Sequence, residues 1–167
     1  MLQIGPETPA DEQAIEALLR AAFAHHPHSN QTEHLLVDTL RAAGALSLSL
    51  VARDDAGLAG YAGFSPVTVD GADCGCHAMA PLAVSPDRQG HGIGRQLVEA
   101  GLASLASRGA QACVVVGDPV WYRQSGFVPA HGLLLEGIPK EFLLVRSLDQ
   151  TLPTGRLGFH PAFAICA

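Results

Sequence analysis

The sequence predicts an α/β (α+β) fold with a mixed sheet, and three observations support this prediction. Residues 45–53, 58–69 and 76–84 have the apolar patterns of consecutive antiparallel strands separated by turn residues. Residues 92–108 then follow a helical period. The β-branched run at 112–117 is typical of a strand covered on both faces. A strand, a helix and a further strand in this order predict a right-handed parallel crossover.

The N-terminal quarter of the chain predicts one strand and two helices. Residues 2–7, LQIGPE, have the pattern of a short strand. The TPAD turn supplies an N-cap, a proline at the first helical position and an acidic third residue, so we expect a helix over 9–23. A second helix ends at Gly44, and Asn30 and Glu33 resemble the two members of its capping box.

The C-terminal part predicts a short helix followed by two strands. Asp118 stands at the position of an N-cap, Pro119 at the first helical position and Gly126 at the C-cap. Apolar segments near 127–135 and 141–148 predict the two strands. These strands would extend the sheet beyond the parallel crossover.

Length and composition indicate one domain, expected over residues 1–167, with 48% hydrophobic and 16% charged residues. The net charge of −6 leaves no basic stripe for nucleic acid. No apolar run approaches the roughly 18 residues that would span a membrane. The N-terminus also lacks the basic and apolar regions of a signal peptide. We therefore expect a cytoplasmic protein without nucleic-acid or membrane partners.

The cysteines do not predict a metal site. Cys74, Cys76 and His77 form a C-x-C-H run, but zinc sites normally use two to four residues between paired cysteines, and no second pair follows. Cys113 lies in an apolar run and reads as a small core residue. A cytoplasmic chain is expected to keep all four cysteines reduced.

Three glycines precede the helix at 92–108, although glycine weakens a helix by about 1 kcal/mol relative to alanine. A helix N-terminus presents backbone N–H groups without partners and a positive dipole end. Glycines at 90, 92 and 94 would let a phosphate approach that backbone, with Arg88 and Arg95 as flanking charges. A tight strand-to-helix turn without a ligand is the alternative.

Two common phosphate-binding motifs fit this stretch badly. A P-loop needs a lysine directly after its last glycine, and Arg95 follows Gly94 here. A dinucleotide-binding turn needs its G-x-G-x-x-G spacing immediately after a strand, whereas five residues, 85–89, intervene. These departures argue against a nucleotide-binding oxidoreductase.

A third pattern fits. Gln89 to Gly94, QGHGIG, resembles the Q/R-x-x-G-x-G/A signature with which GNAT acetyltransferases hold the pyrophosphate of acetyl-CoA. APLAVSPDRQGHGIG resembles the fourth strand and third helix of that family, and VVVGDPVWYRQSGF its fifth strand and following helix. The late GFVPA and GFHPAF are similar to the bacterial YhbS-type N-acetyltransferases. The resemblance implies a GNAT-like acyl-CoA N-acyltransferase fold: a mostly antiparallel twisted sheet with a splayed parallel central strand pair, flanked by helices.

Pro81 supports the resemblance independently, because a proline inside an apolar strand cannot donate to a ladder and indicates a bulge or an edge. The corresponding strand of GNAT proteins is bulged, and its backbone binds pantetheine and polarises the thioester. The resemblance therefore implies acetyl-CoA as cosubstrate and no metal. The implied binding residues are Leu82, Ala83, Val84, Arg88, Gln89, Gly90, His91, Gly92, Ile93, Gly94 and Arg95, with His91 contributing its backbone.

Tyr122 matches the usual general acid of the family, which assists departure of the CoA thiolate. At reference pKa values a complete transfer from tyrosine to a thiolate is uphill by roughly 2 kcal/mol. A hydrogen bond that tightens as the C–S bond breaks is easier than an early transfer. A core tyrosine on a short helix is the alternative role for Tyr122.

Glu33 is the candidate base for the acceptor amine, because it lies where the first two helices of the family line the acceptor cleft. Its alternative role is the capping box. His25, His26 and His28 are further candidates, since GNAT proteins share no constant base.

The expected reaction is direct attack of an amine on acetyl-CoA in a ternary complex. The acceptor class is a small molecule or a peptide N-terminus, and the protein is expected to be a monomer or a homodimer. A catalytically silent acyl-CoA-binding regulatory module is the alternative function. Asp118 stands where many relatives carry an asparagine that contacts pantetheine, so that contact is not expected here.

Overall fold

The alternating segments assemble into a mixed sheet in the computed structural model, which describes residues 1–166. The strands are β1 (Gln3–Pro6), β2 (Leu48–Asp54), β3 (Gly57–Val69), β4 (Ala72–Val84), β5 (Ala112–Val116), β6 (Val128–Pro129), β7 (Leu133–Leu134), β8 (Leu143–Ser147) and β9 (Gly155–Gly158). The α-helices are α1 (Glu12–Phe23), α2 (Glu33–Ala42), α3 (Ile93–Ser107) and α4 (Pro119–Arg123). The strand order is β1-β2-β3-β4-β5-β8-β6, and β9 pairs with β3 and β7.

Helices cover the two faces of the sheet. Successive side chains of a strand point to opposite faces, and Tyr61 and Ala62 of β3 belong to two different apolar clusters. The Tyr61 cluster contains residues of α1 and α2: Ile15, Leu18, Leu19 and Val37. The Ala62 cluster contains residues of α3: Ile93, Leu97, Val98, Leu102 and Leu105. The sheet is therefore the central layer, as the sequence predicts for an α/β fold.

The predicted parallel crossover is confirmed as the pairing of β4 with β5. The two strands pair in parallel at three positions, from Cys76 opposite Ala112 to Ala78 opposite Val114. β4 continues to Val84 without further pairing to β5. The parallel pair thus separates at its carboxyl end, which is the splayed arrangement that the resemblance implies.

The bulge predicted at Pro81 is confirmed. The register between β3 and β4 shifts there, so that Gly63 of β3 stands opposite both Ala80 and Pro81. The alternative of an edge also holds locally, because β4 lies between β3 and β5 but pairs with β5 only as far as Ala78. The bulge breaks the ladder just before the last residues of β4.

The start of α2 differs from the prediction. The helix begins at Glu33 with Thr32 at its N-cap, so Asn30 and Glu33 do not form a capping box. Gln31 has a φ of 60°, which interrupts any helix that would start at Asn30. The Glu33 carboxylate instead accepts hydrogen bonds from the Ser29 hydroxyl, at 2.7 and 2.8 Å.

The C-terminal segment also differs from the prediction. The expected strand at 127–135 is divided into β6 and β7, which pair with different partners, β8 and β9. β9 itself was not predicted. Gly155 N donates to Gly132 O at 2.8 Å, which joins β9 to the turn between β6 and β7. β9 has only four residues and pairs with segments more than twenty residues away, so its own sequence carries no pattern that would predict a strand.

The remaining predicted elements are confirmed, with shifts of at most four residues at their ends. The first helix begins with a tight 3₁₀ turn at Pro9–Asp11, in which Thr8 N donates to the Asp11 carboxylate at 2.8 Å. Gly44 and Gly109 follow their helices with φ values of 68° and 79°. Among residues 1–166, no helix has both the length and the apolar composition that a membrane crossing requires.

Candidate functional site

Two of the three glycines before α3 leave open space above the backbone. Gly90 and Gly92 have φ values of 81° and 80°, and a Cβ on either would meet no atom within 4 Å. Gly92 is the residue at the N-cap of α3. Gly94 lies beside α4, and a Cβ there would make an ordinary van der Waals contact with the Trp121 ring at 3.4 Å. The first two glycines therefore shape and expose the helix N-terminus.

A cleft of about 580 Å³ joins this helix N-terminus to the end of β4 that β5 leaves unpaired. The predicted binding residues that line it are Leu82, Ala83, Val84, Gln89, Gly90, Gly92, Ile93, Gly94 and Arg95. Gln89 Nε2 donates to Val84 O at 3.2 Å and so ties the glycine turn to the strand end. Backbone N–H groups, a positive helix end and the Arg95 side chain suit this cleft to an anionic ligand.

Two predicted binding residues do not line the cleft. Arg88 forms an ion pair with Asp54, and its guanidinium lowers the pKa of that carboxyl group. His91 is exposed, and its Nδ1 lies 3.2 Å from Arg88 O. The charge of Arg88 is therefore already matched by a carboxylate, and Arg95 is the cation that reaches the cleft wall.

Helix α4 and its C-cap contribute two lining residues that the sequence did not predict, Trp121 and Gln124. A spacing of three places them on the same side of a helical turn. Tyr122 does not line the cleft, and its ring packs edge-on against Trp121 and Phe127, with centroids 4.8 and 5.5 Å away. The i, i+3 spacing of Trp121 and Gln124 was the signal that could have identified them.

The environment of Tyr122 is largely apolar. Burial raises its pKa to about 12, and the nearby Cys113 thiol adds to the shift. No hydrogen bond to its hydroxyl contributes to that pKa within the described part of the chain. At this pKa, complete proton transfer to a thiolate of reference pKa 8.5 would be uphill by about 5 kcal/mol.

Gly117, which follows β5 directly, explains how Tyr122 fits so close to that strand. A Cβ at Gly117 would lie 2.6 Å from Tyr122 Cε2, closer than real side chains approach. Asp118 accepts a hydrogen bond from Val120 N at 2.9 Å, so it caps α4 as predicted. The backbone before α4 thus makes room for the tyrosine ring, and the Asp118 carboxylate is committed to the helix.

The candidate bases lie outside the cleft lining. Glu33 is half-buried at the start of α2 and is held by Ser29. His25, His26 and His28 are exposed, and His28 N donates to His26 Nδ1 at 3.2 Å. The described part of the chain does not bring any of these four side chains to the cleft wall.

The sequence did not predict a polar network that joins β2, β3 and α2. The Tyr61 hydroxyl lies 2.7 Å from Ser49 Oγ, which also donates to Glu7, and Arg41 pairs with Glu7 at 3.0 Å. Burial raises the pKa of Tyr61 well above its ordinary value. Tyr61 pairs across the sheet with Ala83, a residue of the cleft wall. These residues are far apart in sequence, so no local motif predicts that they form a network.

No metal cluster accompanies the cleft in residues 1–166, where no three His, Cys, Asp or Glu side chains are arranged to hold an ion. The site therefore consists of an opened strand pair, a glycine-exposed helix N-terminus and an aromatic helix. Its backbone donors suit phosphate and amide groups, and Tyr122 supplies a neutral hydroxyl close to β5.

The comparisons with known proteins agree with one another on the family. Residues 45–129 match the family described as acetyltransferase (GNAT) domain. The Escherichia coli (strain K12) protein described as uncharacterized N-acetyltransferase YhbS is 42% identical over 164 residues, covering 94% of this chain and 95% of its own. The crystal structure of YhbS from Escherichia coli in complex with CoA superposes with a TM-score of 0.89 at 40% identity, covering 98% of this chain and 92% of that one.

A second solved structure agrees with the first. A GNAT family acetyltransferase from Brucella melitensis, crystallised in complex with acetyl-CoA, is 39% identical with a TM-score of 0.88, and 98% of each chain is covered. The family match covers half of this chain, and the relatives match nearly all of it. The chain belongs to the GNAT family of N-acetyltransferases and is an acyltransferase.

Proposed function

We propose that the protein transfers an acetyl group from acetyl-CoA to an amine by direct attack in a ternary complex. The observation that carries the proposal is the cleft that runs from the unpaired end of β4 to the N-terminus of α3. Two relatives, 39% and 40% identical to this chain, were crystallised with acetyl-CoA and with CoA.

Pyrophosphate would bind at the N-terminus of α3. The backbone from Gly90 to Gly94 offers unpaired N–H groups, and Arg95 adds a positive charge at the same wall. Gly92 leaves nothing within 4 Å of where a Cβ would stand, so a phosphate can approach the backbone there. His91 would act through its backbone, whereas the Arg88 side chain is paired with Asp54 and the Arg88 N–H donates to Ser85 O at 2.8 Å.

Pantetheine would bind along the unpaired end of β4. Its amide groups resemble a peptide and can pair with the backbone of Leu82, Ala83 and Val84, which β5 leaves free beyond Ala78. A backbone N–H directed at the thioester oxygen stabilises the charge that develops there during attack. Such a donor is typically worth about 3–4 kcal/mol in the transition state.

Tyr122 would act as general acid toward the departing sulfur from its place beside Trp121 of the cleft wall. Its raised pKa opposes full transfer before the C–S bond has broken, so the hydroxyl would act by a hydrogen bond that strengthens as negative charge reaches the sulfur. The proton would move only when the thiolate leaves. The apolar surroundings of the ring keep the phenol neutral until then.

The acceptor amine must be neutral when it attacks. At pH 7 deprotonation costs a lysine-like amine about 4.6 kcal/mol, but it costs an α-amino group only about 1 kcal/mol. An α-amino acceptor therefore needs little help from a base. For a more basic amine, Glu33 is our candidate, with its carboxylate oriented by Ser29.

A thiol-release assay tests the proposal. Purified protein with acetyl-CoA is offered small amines, aminoglycosides, amino acids and peptides with free N-termini, and free CoA is followed with a chromogenic disulfide. Release that depends on one amine class, with acetylated amine found by mass spectrometry, is the expected result. Tight CoA binding without release for any amine would instead favour a silent acyl-CoA-binding module.

A further inference from the structure

Two thiols meet at the end of β4 that lies away from the cleft. Cys74 Sγ and Cys76 Sγ lie 2.9 Å apart. In a regular strand, residues i and i+2 share a face but stand roughly 6.6 Å apart along the chain. Disulfide-bonded cysteines need Cβ atoms at roughly 3.5–4.5 Å. An ordinary strand would therefore keep these sulfurs apart, and something local must bring them together.

A second bulge in β4 is the cause. Val67 pairs with Cys76 but the next residue of β3 pairs with Asp73, so Cys74 and Gly75 are extra residues in β4. Gly75 has a φ of 77°, a left-handed conformation that turns the chain between the cysteines.

Hydrogen bonds hold the bulge in place. Gly75 N donates to the Asp73 carboxylate at 3.0 Å, and Gly75 O accepts from Gln111 N at 2.8 Å. These two hydrogen bonds stabilise the turn that keeps the two sulfurs adjacent.

The two thiols differ in access. Cys74 is half-buried and can be reached from solvent, whereas Cys76 is fully buried in the sheet. Burial raises the pKa of Cys76 to about 12, so it is a poor first nucleophile at neutral pH. An accessible thiol beside a buried one is the arrangement of an attacking and a resolving cysteine.

We propose that Cys74 and Cys76 form a thiol–disulfide exchange site that reacts with low-molecular-weight disulfides. The Cys74 thiolate attacks one sulfur of the small disulfide, whose S–S bond breaks, and the first small thiolate leaves and takes up a proton. Cys76 then gives up its proton and attacks the Cys74 sulfur, which expels the second small thiol. The two cysteines are oxidised to a disulfide, and the small disulfide is reduced to two thiols.

The site is independent of the acetyltransferase cleft. It lies where β4 is still paired with β5, through Cys76 opposite Ala112, and neither cysteine lines the cleft. Oxidation is therefore expected to leave CoA affinity within twofold of the reduced protein. Reductant should restore the starting state.

Oxidised glutathione is the probe. The full chain carries Cys166→Ser, which removes the other half-buried thiol, and Cys113 stays fully buried. The expected product has lost two hydrogen atoms, carries no glutathione and yields a Cys74–Cys76 cross-linked peptide that dithiothreitol reverses. No reaction, or a glutathione adduct on Cys74 that persists in the presence of Cys76, would overturn the proposal.

Two variants in the same background assign the roles. Cys76→Ser should trap one glutathione on Cys74, because the resolving thiol is gone. Cys74→Ser should stay unmodified, because the remaining thiol of the pair is buried. If Cys76→Ser does not melt cooperatively, Cys74→Ser still decides, since its substitution is at the more accessible position. Glutathione bound to Cys76 in that variant would contradict the proposed order of attack.

Discussion

β4 carries a bulge at each end, and the two bulges have opposite consequences. At the carboxyl end, the bulge at Ala80 and Pro81 is followed by residues that have left β5 and line the cleft. At the amino end, the bulge at Cys74 and Gly75 sits where β5 pairing begins, and it presses two side chains together. A bulge in β4 thus accompanies the cleft where β5 has diverged, and it brings two side chains together next to the residues that β5 still pairs.

The largest effect is expected from Tyr122→Phe in α4, beside the cleft at the carboxyl end of β4. Losing the hydroxyl should lower the single-turnover rate by about 10²–10⁴-fold, because the departing thiolate loses its general acid. Single-turnover measurement is required, since slow product release would hide the effect. The test uses whichever amine the thiol-release assay identifies.

Binding and stability provide the controls for that variant. CoA affinity and melting temperature should change little, because the hydroxyl makes no hydrogen bond that shifts its pKa within residues 1–166. Tyr61→Phe removes a hydroxyl bonded to Ser49 and should cost about 1 kcal/mol of stability. A Tyr122→Phe protein with a near-normal rate would reduce Tyr122 to a packing residue.

The second effect compares the glycine at the N-cap of α3 with a glycine in the turn before β4. Gly92→Asp puts a negative carboxylate where pyrophosphate is proposed to bind, and calorimetry should show at least a tenfold loss of CoA affinity, roughly 1.4 kcal/mol. Gly71→Asp is the matched control in the β3–β4 turn. Both glycines have φ near 80° and no atom within 4 Å of a Cβ, so the backbone cost is similar. Equal losses in the two variants would refute pyrophosphate binding at the N-terminus of α3.

The third effect tests how Tyr122 is positioned. Gly117→Ala places a methyl group 2.6 Å from the Tyr122 ring, so ring or strand must shift. Overpacking of this kind costs roughly 1–3 kcal/mol. We expect a rate loss of about tenfold with CoA affinity retained, measured by single turnover and calorimetry. A variant whose rate and melting temperature match the parent would show that the ring moves without consequence.

The smallest effect is the absence of an alkaline fall in rate. Tyr122 acts in its protonated form, and its pKa, raised to about 12, keeps that form through the ordinary alkaline range. As pH rises from 8 toward about 10, the reference pKa of a free phenol, the rate should therefore rise with deprotonation of the acceptor amine or level off, but should not fall. A fall with a midpoint below 10 that disappears in Tyr122→Phe would show that the phenol titrates much lower in the working enzyme.

The sequence by itself determined the features whose causes are local. Gly90 and Gly92 fix an exposed helix start, because few other residues adopt a positive φ there without strain. Pro81 predicts a bulge because it has no N–H to give to a ladder. Asp118 predicts the cap of α4 because its carboxylate reaches a free N–H two residues later.

Tertiary structure decided the features that depend on partners distant in the chain. Arg88 could have faced the phosphate, but Asp54, 34 residues away, holds it. Asn30 could have capped α2, but its side-chain amide donates to the carbonyl of Ile165, 135 residues away. The orientation of α4 follows from its packing against α3 and Phe127. This packing places Trp121 at the cleft and packs Tyr122 against Phe127. Such choices follow from long-range packing and charge pairing, which compete with local preference and leave no pattern in the nearby sequence.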